Sequence, residues 1–92
     1  MEIQLLIGWN VRSLRVAKGL SQDDLALAAD IERAYVGHLE RGKKNPTATT
    51  LAKLAGALEC HLTELFKDPP EEASLPPPLK GGRRSQIQPR RG

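Results

Sequence analysis

Four cations crowd into one short stretch of this 92-residue chain: Arg33, Arg41, Lys43 and Lys44, with His38 among them. Guanidinium and ammonium groups at that density create a local positive field, the chemistry of holding an anion. Two small residues, Ala34 and Gly37, are interleaved with them and leave room for a partner to come close. Other chemistry is poorly served. The nucleophile and imidazole candidates are Cys60, His38, His61 and scattered hydroxyls, with no glycine-rich phosphate loop and no paired-carboxylate motif, so no enzyme is expected. Cys60, His61 and His38 lack the paired spacings that close a zinc tetrahedron, and neither a metal nor a cofactor is expected.

The formal net charge of +3 adds little to this picture once it is divided along the chain. Through Asp68, nine Lys and Arg balance nine Asp and Glu; from Pro69 onward, five stand against two. The excess therefore belongs to the tail, and placement rather than total charge marks the Arg33–Lys44 stretch.

The elements that must position these side chains follow from periodicity. Ile3, Ile7, Val11 and Leu14 recur at helical spacing, and Gly19 follows where a helix ends in a left-handed turn, so a first helix is expected over about Gln4–Lys18. Ser21 and Asp24 have the spacing of a capping box and open a second helix that carries Leu25, Ala28 and Ala29 inward. Asp30 and Ile31 leave only a tight turn before a third amphipathic run, Glu32 to Arg41, closed by Gly42. Asn45-Pro46 breaks the chain again, and Thr47 is a good N-cap for a fourth helix with Leu51, Leu54, Ala55 and Leu58. A short fifth helix is expected at Leu62–Phe66, its apolar side formed by Leu62, Leu65 and Phe66.

The expected organisation is an all-α domain over residues 1–68 and a Pro-rich basic tail over 69–92. That tail buries too little to offset its ordering entropy and is expected to be disordered; its basic pairs suit a DNA tether, its prolines a plain spacer. No run approaches the roughly 20 apolar residues of a membrane span, and Ile3–Ile7 lacks the flank and cleavage site of a signal peptide. A soluble cytoplasmic protein without membrane contact is expected, and the lone Cys60 agrees with a reducing compartment as a small core residue.

At one hundred degrees per residue, the third helix turns Tyr35, Val36 and Leu39 to one side and Arg33, Ala34, Gly37, His38 and Arg41 to the other. Mid-helix glycine costs about 1 kcal/mol relative to alanine, a cost that makes sense if something must approach the backbone at Gly37. A base edge or a sugar would qualify, whereas a tolerated exposed glycine is the plainer account.

Four stretches, Leu20–Ala26 (LSQDDLA), Tyr35–Thr47 (YVGHLERGKKNPT), Thr50–Leu58 (TLAKLAGAL) and Leu62–Phe66 (LTELF), together resemble the phage-repressor and Cro family, also called the XRE family. The resemblance covers about Ile7–Phe66. Within the family the chain is similar to small orphan regulators and to the controller proteins of restriction-modification systems. What the resemblance implies is a compact five-helix, lambda-repressor-like fold acting as a sequence-specific regulator of transcription, located with the nucleoid when bound. Helix three would lie in the major groove of double-stranded DNA, with Arg33, Ala34, Gly37 and His38 at the bases; Arg33 can offer a fork to guanine and Ala34 can touch a thymine methyl. Gln22 would bind backbone phosphate and buttress a base-reading side chain, Tyr35, Arg41, Lys43 and Lys44 would hold the backbone, and Arg12 would add a phosphate contact from helix one. Arg15 and Glu40 would form an ion pair tying helix one to the end of helix three.

Three positions depart from the family pattern. Asp30 and Glu59 stand at turn positions usually filled by glycine, Asp30 as a mild strain and Glu59 as a weakening of the last turn. Glu32 replaces the small N-cap of helix three, and either caps that helix or disfavours nonspecific phosphate. A homodimer is expected, since one reading helix contacts only a few base pairs; Leu62, Leu65 and Phe66 are the first candidates for its surface and Trp9 the second. The rival function is a protein-binding module, an antitoxin or adapter, supported by a second apolar stripe on helix one formed by Leu5, Trp9 and Val16.

Overall fold

A computed structural model describes residues 1–69. Helix α1 spans Ile3–Ala17, α2 Gln22–Ala29, α3 Arg33–Glu40 and α4 Ala48–Leu58, and a 3-10 helix follows at Leu62–Phe66. The all-helical expectation is met. The fifth element occupies the expected residues but winds as 3-10, the form short helical pieces favour. The tail expected at 69–92 lies, from residue 70 on, outside the described residues.

The helix starts follow the sequence signals. Ser21 Oγ accepts from the Asp24 amide at 2.9 Å while the Asp24 carboxylate accepts from the Ser21 amide at 2.9 Å, completing the capping box of α2. Thr47 Oγ1 accepts from the Thr50 amide at 3.1 Å at the start of α4. Glu32, the N-cap of α3, makes no such side-chain bond, so the capping account of this residue finds no support.

The four α-helices among the described residues end alike, on a left-handed residue followed by an amide that reaches back five positions. The left-handed residues are Gly19, Asp30, Gly42 and Glu59, and the closing bonds run from Leu20 to Arg15, Ile31 to Ala26, Lys43 to His38 and Cys60 to Ala55, each 2.9–3.1 Å long. The weakened last turn expected from Glu59 is therefore corrected: α4 closes as the others do, at a φ of 56°. The local cost of a left-handed Glu is outweighed because Leu58 on one side of the turn is fully buried and Cys60 on the other packs against the core.

That core gathers Ile7 and Val11 of α1, Leu25, Ala26 and Ala29 of α2, Val36 and Leu39 of α3, Leu51, Leu54, Ala55 and Leu58 of α4, and Leu65. Ala26 rather than the expected Ala28 faces inward. Leu25, Ala26 and Ala29 fall within one hundred degrees of arc centred away from Ala28, and that arc is what α2 presents as it packs against both α3 and α4. Ile3, expected on the core face of α1, is exposed in the helix's open first turn.

Two residues of α1 fix its neighbours. A Cβ at Gly8 would stand 2.5 Å from the Leu39 carbonyl oxygen and 2.9 Å from that of Glu40, so only glycine allows the end of α3 to lie this close. Buried Asn10 donates through Nδ2 to the carbonyls of Leu65 at 2.9 Å and Lys67 at 2.8 Å, pinning the 3-10 helix and the chain leaving it. Among the described residues no helix is long and apolar enough to cross a membrane.

Candidate nucleic-acid interface

Helix α3 has a braced side and an open side. On the braced side Glu40 is buried and meets Arg15 through two contacts, Nε to Oε2 at 2.6 Å and Nη2 to Oε1 at 2.9 Å. Arg15 spends its remaining reach on the Leu20 carbonyl, to which Nη1 donates at 2.9 Å, and Gln22 donates through Nε2 to Glu40 Oε1 at 3.1 Å. Helix α1, the turn after it, the start of α2 and the end of α3 are thus joined through two charged side chains. A bidentate pair with a further hydrogen bond at each partner is the arrangement in which burial of charge is tolerated. Arg12 lies half-buried nearby; burial lowers its pKa while the Glu40 charge acts the other way.

The open side carries Arg33, Ala34 and His38, all exposed, with Arg41 just beyond the helix and Lys43 and Lys44 in the loop. Arg33 Nε lies 2.8 Å from Asp23 Oδ1 in the first turn of α2. Arg41 Nη2 sits 3.0 Å from His38 Nδ1, a contact that requires this nitrogen to act as acceptor. Lys44 Nζ stands 5.6 Å from the centre of the Tyr35 ring, which is itself half-buried against the core. Three contacts thus link side chains of this region in pairs: Arg33 with Asp23, Arg41 with His38 and Lys44 with Tyr35.

Gly37 differs from its expected surroundings. It is buried, roofed by the ends of Gln22 and Arg41: a Cβ there would lie 3.6 Å from Arg41 Nη1 and 3.8 Å from Gln22 Oε1. Both roofing groups are the far ends of flexible side chains, and Gln22 is held there by its bond to Glu40.

The proposed dimer residues separate. Leu65 is fully buried within its own chain and cannot serve as a contact, a correction that follows from its place between α1 and α4. Leu62 and Phe66 remain 43% and 41% exposed. Trp9 is half-buried, with its indole nitrogen buried and unpartnered among the described residues. The stripe behind the protein-binding reading is also interrupted: Leu5 packs on Gly42, Trp9 is half-covered, and only Val16 is well exposed. Cys60 packs partly buried on the core, and burial first, then the Glu64 charge, pushes its thiol up against an opposing effect of Lys18; a raised thiol is a poor nucleophile and a poor soft ligand.

Several of these contacts escape sequence inspection. The Asp23–Arg33 pair and the Gln22–Glu40 bond cross the helix-turn-helix and follow no helical spacing. Asn10 left a usable signal, a polar residue on the apolar face between Ile7 and Leu14.

The helix-turn-helix family matches residues 11–65, from the middle of α1 to the end of the core. The chain is 40% identical over 65 residues to the uncharacterized HTH-type transcriptional regulator y4dJ of Sinorhizobium fredii, covering 71% of this chain and 84% of that one. It is 40% identical over 66 residues to the control protein C.SmaI of Serratia marcescens, covering 72% and 79%. The crystal structure of the restriction-modification controller protein C.AhdI from Aeromonas hydrophila superimposes with a TM-score of 0.67 at 44% identity, covering 68% of this chain and 96% of that one. With α2 and α3 joined by a tight turn and Arg33 and His38 exposed on α3, the chain belongs to the helix-turn-helix family of DNA-binding transcriptional regulators.

Proposed function

We propose that this chain binds an operator as a homodimer, with α3 in the major groove of each half-site and the two half-site centres roughly one helical turn, about 34 Å, apart. The observation that carries the reading is the two-sidedness of α3: Arg33, Ala34 and His38 stand exposed on a helix of eight residues whose other side is fixed by the buried Arg15–Glu40 pair. A braced helix loses little freedom on docking, and its exposed side chains can then tell one base from another. Arg33 and His38 contact base edges, Ala34 meets a thymine methyl, and Gly37 lets the groove come close. Gln22, Tyr35, Arg41, Lys43, Lys44 and Arg12 hold phosphates. Leu62 and Phe66 form the dimer surface, with Trp9 second to them. The domain ends near Asp68, and the basic tail beyond it acts outside the specific contact.

Affinity for a duplex selected from random DNA and for its scrambled counterpart, each across a salt series, tests this. Arg33→Ala is expected to cost about 1–3 kcal/mol on the selected duplex and much less on the scrambled one. Lys43→Ala with Lys44→Ala is expected to weaken both alike and to reduce the salt slope by about one unit per lost phosphate contact. Equal losses on both duplexes for Arg33→Ala would make that arginine a phosphate clamp and leave His38 as the base reader. A single unrepeated footprint at saturating protein would remove the dimer.

A further inference from the structure

We propose that Asp23 is a positioning residue for base recognition, holding the Arg33 guanidinium from the first turn of α2 so that Arg33 meets a base edge instead of a neighbouring phosphate. The inference rests on the reading of Arg33 as a base contact and extends it to a carboxylate that touches no base.

The pair joins Arg33 Nε to Asp23 Oδ1 at 2.8 Å, with the two side chains 63% and 73% exposed. An ion pair this open to water adds little to the stability of a fold. Its consequence lies in where it leaves the guanidinium. Nε is the nitrogen nearest the stem, so a carboxylate there turns the far end, with its two Nη groups, outward from α2. That end is the fork that matches the O6 and N7 acceptors of guanine. Arginine otherwise surrenders considerable rotamer freedom on docking, and ordering it beforehand reduces that loss.

Asp23 also has no competing task among the bonds of its helix. In the capping box it is the neighbouring Asp24 whose carboxylate accepts from the Ser21 amide. Opposite guanine, Arg33 keeps Asp23 at Nε while its Nη groups donate to the base, and no charge is stranded. Opposite another base, Arg33 finds no matching fork, and it can swing to a phosphate only by abandoning Asp23 beside a polyanion. The carboxylate therefore weakens binding to the wrong sequence more than to the right one, and specificity arises partly from repulsion.

The plainer account is that an acidic side chain in the first turn of a helix interacts well with the helix dipole. A double-mutant cycle separates the two. Wild type, Asp23→Ala, Asp23→Asn, Arg33→Ala and the Asp23→Ala, Arg33→Ala double variant are titrated against a duplex selected from random DNA by the wild-type protein and against its scrambled counterpart. Each variant is also melted thermally. Asp23→Ala is expected to lower the ratio of selected to scrambled affinity about fivefold, the upper end for one exposed ion pair. Part of that change should come from tighter binding to scrambled DNA. Asp23→Asn, which keeps an oxygen acceptor without the charge, is expected to fall between. In the Arg33→Ala background the Asp23 substitution is expected to leave the ratio unchanged. A wild type that binds both duplexes equally fails the operator reading itself. A wild type that discriminates, with Asp23→Ala changing both affinities by one factor or lowering only the melting temperature, overturns the Asp23 assignment alone.

Discussion

Two Arg–carboxylate pairs flank α3, and they put the same chemistry into opposite surroundings. Arg15 and Glu40 meet at 2.6 Å with side chains 2% and 3% exposed; Arg33 and Asp23 meet at 2.8 Å with side chains 63% and 73% exposed. Inside, neither partner can be hydrated if the other leaves, so the pair is part of the fold and ties the end of α3 to α1. Outside, water and salt screen both charges, so the pair adds little to the fold and acts on where the Arg33 guanidinium points. Distance alone says little about what an ion pair does; burial decides whether it orients a helix or a single side chain.

The largest expected effect breaks the buried member. Glu40→Ala strands the Arg15 guanidinium, removes the acceptor of Gln22 Nε2 and is expected to destabilise the protein by about 3–5 kcal/mol in denaturant unfolding. That is a large share of the roughly 5–15 kcal/mol available to a domain. Asp23→Ala in the same assay is expected to change stability by no more than about 1 kcal/mol. If the two variants lose equal stability, burial is not what distinguishes the pairs.

The difference between the two regions also explains what was legible in the sequence. The helices were visible because each carries its own signals: the Ser21 and Asp24 spacing, Thr47 after Asn45-Pro46, and Gly19 and Gly42 at closing turns. The outer face of α3 was visible because it lies within one helix, where a period of 3.6 sorts residues. Contacts between helices have no period. Arg15 and Glu40 came from the family resemblance, while Gly8 against the Leu39 carbonyl, and Asp23 beside Arg33, depend on how helices distant in sequence come to lie together. Leu65 was misplaced for a related reason: periodicity identifies an apolar side, but in so short a helix it cannot separate the residue facing its own core from those facing out. At Glu59 the local preference against left-handed backbone was real and was overruled by burial on both sides of it.

A middle-sized effect sharpens the contrast at Gly37, buried beneath the ends of Gln22 and Arg41 on the same helix. Its Cβ position lies at ordinary contact distance from Arg41 and Gln22, so Gly37→Ala fits without strain and is expected to stabilise the protein by about 1 kcal/mol through helix propensity. If the glycine serves close approach of the groove, the same substitution weakens binding to the selected duplex. Stability and affinity then move in opposite directions, whereas Glu40→Ala lowers both. Unfolding and duplex titration on the one variant check it, and a gain in stability with undiminished affinity would return Gly37 to the plain account of a tolerated glycine.

The smallest effect concerns the first turn of α2, which serves both regions by sending Gln22 to the brace and Asp23 to the open face. Its cap depends on an ionised Asp24. Hydrogen bonds from Ser21, first from its backbone and then from its side chain, lower the Asp24 pKa below its ordinary 3.8, with a weaker opposing effect of desolvation. A folded-state value below the unfolded one means that the carboxylate's contribution is fully present above about 3.8 and is lost as pH falls through the lower folded value. In Asp24→Asn the amide oxygen can still accept, but no charge remains to titrate. The variant is therefore expected to melt slightly below wild type at pH 5 to 7, with the gap closing as the pH is taken below the ordinary carboxylate value. Melting temperatures of the two proteins across that range provide the measurement. A gap that stays constant into acid would show that the Asp24 charge contributes nothing, and that the turn feeding both the brace and the open face is held by neutral hydrogen bonds alone.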